Sequence, residues 1–62
     1  MQPKDLRAMR LELEWSRAEL ASALGVRIED VRAWEEGERP IDSPQRIKHI
    51  MDTTRRRRVG GD

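Results

Sequence analysis

Ser16-Arg-Ala-Glu-Leu-Ala-Ser-Ala-Leu-Gly-Val-Arg27 holds a helix start, a short helix, a stop and the approach to a second helix. Ser16 and Glu19 have the spacing of a capping box. The hydroxyl takes a backbone N–H three residues on, and the carboxylate reaches back to the Ser16 amide. Trp15 precedes the cap and Leu20 follows at the staple position, so Trp15 is read either as a staple or as part of a partner surface. Ala18, Leu20, Ala21 and Leu24 give a helix of small side chains that lets another backbone come close. Gly25 suits the left-handed position that ends a helix.

Downstream, a third helix is expected from Arg27 or Ile28 to Glu36, stopped by Gly37. Val31 and Trp34, spaced i and i+3, should face inward, leaving Arg27, Ile28, Glu29, Arg32 and Ala33 wholly or partly on the outer surface. Pro40 forces an extended turn. Ser43-Pro44 then starts a fourth helix, with Ser as cap and Pro at the first helical position, running to about Asp52. Upstream, Lys4 to Glu14 is rich in helix formers, and Leu6, Met9 and Leu13 share one face, with Leu11 off that stripe. From Thr53 the chain has no apolar face and ends Gly60-Gly61-Asp62, so a disordered basic tail is expected. The fold class is all-α: a small four-helix bundle containing a helix-turn-helix over residues 1–53, followed by an Arg-rich tail, 54–62.

Composition narrows the function. Sixty-two residues build one small core, and with no Cys neither a disulfide nor a thiolate can supplement it. One His (His49, expected at the surface or an interface) rules out a conventional His/Cys zinc site or a serine triad built from one chain. No nucleophile–base pair is visible, so an enzyme is disfavoured, and no cofactor, metal or small-molecule ligand is implied. No apolar run suits a bilayer span or a signal sequence, which points to a cytoplasmic protein. The net charge of +1 is unevenly spread. Residues 1–54 hold 9 Lys/Arg against 11 Asp/Glu, and residues 55–62 hold four Arg against Asp62.

Two short helices joined by a Gly-containing turn form a helix-turn-helix, a geometry also found in bundles that bind no DNA. The string Ser16-x-x-Glu-Leu-Ala-x-x-Leu-Gly-Val26, followed by Val31-x-x-Trp-Glu35-x-Gly-x-Arg-Pro40, resembles the lambda-repressor-like (Cro/XRE) helix-turn-helix family. The likeness covers residues 4 to about 52. It is greatest to short phage and proteobacterial members, which also end soon after a fourth helix; anti-CRISPR-associated regulators of phage operons are among such proteins. The resemblance implies a homodimeric transcriptional repressor on a partly palindromic operator in double-stranded DNA.

It also implies roles. Ser16 and Arg17 stand where the family caps its second helix and reaches a phosphate; Arg17 replaces the usual Gln but is itself a good phosphate ligand. The base-reading positions map to Arg27, Ile28, Glu29 and Ala33. Ile28 suits a thymine methyl, Glu29 a cytosine amino group, and Arg27 a phosphate or guanine. Arg32 and Arg39 are further DNA candidates. Glu35 resembles the family glutamate that pairs with a first-helix arginine, here Arg10. Against this, residues 27–39 set Arg27, Arg32 and Arg39 against Glu29, Asp30, Glu35, Glu36 and Glu38.

Two features stay open. Arg55, Arg56, Arg57 and Arg58 can follow phosphates or merely solubilise the chain. Ile47, Ile50 and Met51 exceed what one small core is expected to cover and are assigned to a dimer interface, the other reading being packing on helix one. The rival functions are a protein-interaction module, of antitoxin or co-repressor type, that keeps the fold without reading DNA, and an RNA binder acting through the arginine tail.

Overall fold

The computed structural model describes residues 1–60, with side chains through Arg56. It contains α1 (Pro3–Glu12), α2 (Arg17–Leu24), α3 (Ile28–Glu35) and α4 (Pro44–Gly60), and no strand among the described residues. Pro3 opens α1, where a missing N–H is harmless, and Asp5 accepts the Gln2 amide at 3.1 Å. Both halves of the α2 capping box form: Glu19 N–H donates to Ser16 Oγ at 3.1 Å and Ser16 N–H to Glu19 Oε1 at 2.8 Å. At the start of α3 only the return half is made, from Arg27 N–H to Asp30 Oδ2 at 3.1 Å.

The first three helices close alike. After each, the chain turns left-handed and the next amide reaches back five residues: Trp15 to Arg10 O (3.2 Å), Val26 to Ala21 O (3.0 Å) and Glu38 to Ala33 O (2.9 Å). Glycine stands at the turn after α2 and α3 (Gly25, φ +71°; Gly37, φ +76°), but Glu14 (φ +58°) after α1.

Leu6, Leu13, Leu20, Ala21, Leu24, Val31, Trp34, Ile47 and Met51 form the core, with Met9, Trp15, Val26, Ile41 and Ile50 packed at its margin. Leu20 lies in this core and Trp15 packs at its margin. Closest packing is between α2 and α3, and both α1 against α3 and α4 against α2 complete the bundle. The recognition pair is thereby braced from two sides, through Gly25, Val26 and Arg27 as its short turn.

Two expectations about α4 are corrected. It does not stop near Asp52 but continues through the arginine run. Arginine is a good helix former. The Thr54 hydroxyl also donates to Ile50 O at 2.9 Å, and Arg55 Nη1 to Glu12 Oε2 at 3.0 Å on α1. Nor does Ser43 cap it in the usual extended conformation: its φ is +47°, although its carbonyl accepts the Ile47 amide at 3.1 Å.

Candidate nucleic-acid interface

The first turn of α3 offers its side chains outward. Arg27 and Glu29 are exposed, and Ile28 keeps 46% of its surface, a large apolar residue left uncovered beside two charged ones. Val31 and Trp34, on the opposite side of α3, are buried. Ala33, expected on the outer surface, is 5% exposed, which corrects that assignment. The Gly37 turn brings the Glu38 amide back to the Ala33 carbonyl at 2.9 Å.

The remaining arginines of this surface are held by carboxylates. Arg10 and Glu35, the pair the resemblance implies, meet through Arg10 Nε to Glu35 Oε2 at 2.6 Å and Nη2 to Oε1 at 3.1 Å. Arg10 Nη1 also donates to Trp15 O at 2.8 Å, so one guanidinium links the ends of α1 and α3 to the approach to α2. Arg17 Nε donates to Glu35 Oε1 at 3.1 Å, and its Nη1 lies 3.5 Å from Glu36 Oε2. Arg32 Nη1 bridges Glu36 Oε1 at 3.0 Å and Glu38 Oε2 at 3.1 Å. Arg39 donates to Asp30 Oδ1. The Ser16 hydroxyl is occupied by its cap.

These contacts set the local titration. Burial pushes the Glu35 carboxyl up, but hydrogen bonds from Arg10 and Arg17, and their charges, more than offset it and leave it below the ordinary value of 4.5. Asp30 is also held below its ordinary value of 3.8, first by the Arg39 hydrogen bond and then by the Arg27 amide. Its place in the first turn of α3 suits the charged form as well.

Sequence reasoning missed Glu36, Glu38 and Asp30 as partners of Arg17, Arg32 and Arg39. One signal was present: Arg32 and Glu36 are four apart on a helix. The others require the fold of the Gly37 turn.

The dimer-interface assignment is corrected in two of its three residues. Ile47 and Met51 are 2% and 1% exposed within the single chain, and only Ile50 remains partly exposed. Ile47 and Met51 are thus covered without a second copy. Arg55 and Arg56 are exposed on the far part of α4; the side chains of Arg57 and Arg58 lie outside the described residues. His49 is exposed. Among the described residues no His, Cys, Asp or Glu cluster is placed to hold a metal ion, and no helix is long and apolar enough to cross a membrane.

A short helix braced by a buried ion pair, joined through a three-residue turn to a second helix with an open first turn, defines a helix-turn-helix module of the DNA-binding kind. A family model described as helix-turn-helix matches residues 6–47, and the chain belongs to that lambda-repressor-like, Cro/XRE-type family of DNA-binding regulators, which is not a family of enzymes. No curated protein and no solved structure matches the chain.

Proposed function

We propose that this protein is a sequence-specific transcriptional repressor that lays α3 in the major groove of double-stranded DNA and blocks a promoter by occupancy. The observation that carries this reading is the open first turn of α3, where Arg27, Ile28 and Glu29 are exposed together on a helix anchored behind by Val31 and Trp34. Ile28 meets a thymine methyl, Glu29 accepts from a cytosine amino group, and Arg27 reaches a guanine or phosphate. Arg17, Arg32 and Arg39 approach phosphates beside it. Ala33, being covered, has no part.

A single module of this kind buries about 600–1,000 Å² on DNA, too little for tight binding alone. The protein therefore acts as a dimer, with half-sites one turn apart, roughly 10 bp, on a palindromic operator. We further propose, on the likeness to short phage members, that the operator belongs to a phage or mobile-element operon, of which anti-CRISPR-associated operons are one kind. Selection of bound sites from random duplexes at physiological salt tests all of this. Enrichment of a palindrome with that spacing is the expected outcome, and recovery of no preferred sequence sinks the reading.

One observation favours the rival reading of a protein-interaction module: Arg17, Arg32 and Arg39 already have carboxylate partners within the chain. A salt titration separates the two. A regulator binds duplex with steep salt dependence and sequence preference, whereas the interaction module fails to bind it.

A further inference from the structure

Six charged side chains run in alternating sign across the helix-turn-helix: Arg10, Glu35, Arg17, Glu36, Arg32 and Glu38. Successive contacts are 2.6, 3.1, 3.5, 3.0 and 3.1 Å. Exposure rises along this row, from 10% and 0% for the Arg10 and Glu35 side chains, through 35% for Arg17, to 42%, 44% and 53% for Glu36, Arg32 and Glu38. The inner end is sheltered from water and fixed. The outer end is solvated, where an ion pair is worth roughly 0–1 kcal/mol and exchanges readily.

Glu36 is the hinge of the row. It caps the end of α3 and is the one carboxylate in the row that touches both Arg17 on α2 and Arg32 on α3. Those two arginines flank the surface assigned to DNA. A phosphate that reaches either one competes with Glu36 for the same positive charge and lies beside that carboxylate. Such a penalty falls on every duplex alike, since every duplex presents phosphates. Only a duplex that also satisfies Arg27, Ile28 and Glu29 gains base contacts to offset it. The penalty cancels in the ratio of the two affinities, but it lowers the occupancy of DNA that offers no base contacts.

We infer that Glu36 is an affinity-restraining residue, which competes with phosphates for Arg17 and Arg32 and so weakens binding to operator and non-operator DNA by a similar factor. The inference rests on the DNA-binding reading above and assigns the acidic end of α3 a positive role in it. Glu38, which touches Arg32 alone, adds a smaller share.

The test is fluorescence-anisotropy titration of the intact protein with a selected operator and with a random-sequence duplex, between 50 and 200 mM salt, a range across which phosphate contacts strongly alter affinity. Glu36→Gln is expected to bind the random duplex about fivefold more tightly than wild type, the scale of one exposed ion pair. The operator gains by a similar factor, so both affinities rise while their ratio stays close to that of wild type. The log–log salt slope steepens by about 0.9 for each arginine released to a phosphate. Asp42→Asn is the control for net charge. It removes an equal charge from an exposed carboxylate that holds no arginine among the described residues, and it should change either affinity less than about twofold. Melting of Glu36→Gln should stay close to wild type, because the pairs it loses are exposed; if it unfolds, Glu38→Gln replaces it, with a smaller effect of the same sign.

If wild type prefers its operator but Glu36→Gln leaves both affinities and the slope unchanged, the inference fails and the DNA reading stands. An equal gain from Asp42→Asn also overturns it, because charge alone then accounts for the effect. If neither wild type nor variant binds any duplex at the lowest salt while both remain folded, the DNA reading falls and takes the inference with it.

Discussion

Glu14 holds a left-handed backbone, φ +58°, at the turn that Gly25 and Gly37 occupy after the next two helices. A side chain there clashes with its own carbonyl, at roughly 1–2 kcal/mol, whereas glycine meets no such penalty but is freer when unfolded. The balance favours glycine. Glu14→Gly is expected to stabilise the domain by about 0.5 kcal/mol, raising Tm by about 2–4 °C in thermal unfolding followed by circular dichroism. A drop in Tm would show that contacts of the Glu14 side chain outweigh backbone strain. This position was not legible in the sequence, since Glu14 reads as a good helix former and only the backward amide of Trp15 reveals a stop. Ser16 with Glu19, by contrast, was legible because both partners of the capping box lie within one turn. Ala33 was misread because burial of a methyl side chain depends on how neighbouring elements pack around it, which helix spacing alone does not show.

Between elements, Arg10 binds the end of α1 to Glu35 on α3 and to the Trp15 carbonyl ahead of α2. Twenty-five residues separate Arg10 from Glu35, so no local periodicity could pair them; the family likeness did. Replacing Arg10 by Met leaves a Glu35 side chain with 0% exposure and Arg17 as its remaining cation. Stranding a buried carboxylate is expected to cost about 2 kcal/mol, on the order of 10 °C in Tm for a domain of this size. The pH dependence has a definite sign. Glu35 is held below the 4.5 of an ordinary glutamate, so unfolding takes up a proton once the pH drops through that value. Its contribution is therefore present above about pH 4.5 and lost as acid approaches the depressed folded value. Wild type should lose stability more steeply than Glu35→Gln below that point, as measured by urea unfolding across pH 3–6, a window bracketing the ordinary glutamate pKa. Equal slopes would show that the pair leaves Glu35 titrating as it does when unfolded. The element that sequence reasoning shortened, α4, shows the opposite weakness of pattern reading. An arginine run has no apolar face, but it keeps high helix propensity, and Arg55 finds Glu12 across on α1.

The whole molecule has a radius of gyration of 11.1 Å, slightly above the roughly 10.5 Å of a compact chain this long. An α4 of 17 residues, about 25 Å from end to end, fits that small excess, while its apolar stripe is used up within the chain by Ile47 and Met51. Of Ile47, Ile50 and Met51, Ile50 alone stays partly exposed, and the apolar residue count could not reveal this because it says nothing of which helix covers which. Charge divides along the same length: residues 1–54 are net −2, while Arg55 to Asp62 are net +3. If the acidic body restrains DNA binding and the basic end promotes it, the two ends should act on affinity in opposite directions. Phosphate contacts carry no base information, so replacing Arg55–Arg58 by glutamine, which keeps helix propensity, is expected to weaken operator and random duplex by the same factor. The salt slope should become shallower by about 0.9 for each arginine that had reached a phosphate, with Arg55 contributing least because Glu12 already holds it. Loss on the operator alone would mean that these arginines read a groove, and no change on either duplex would leave them a solubilising end.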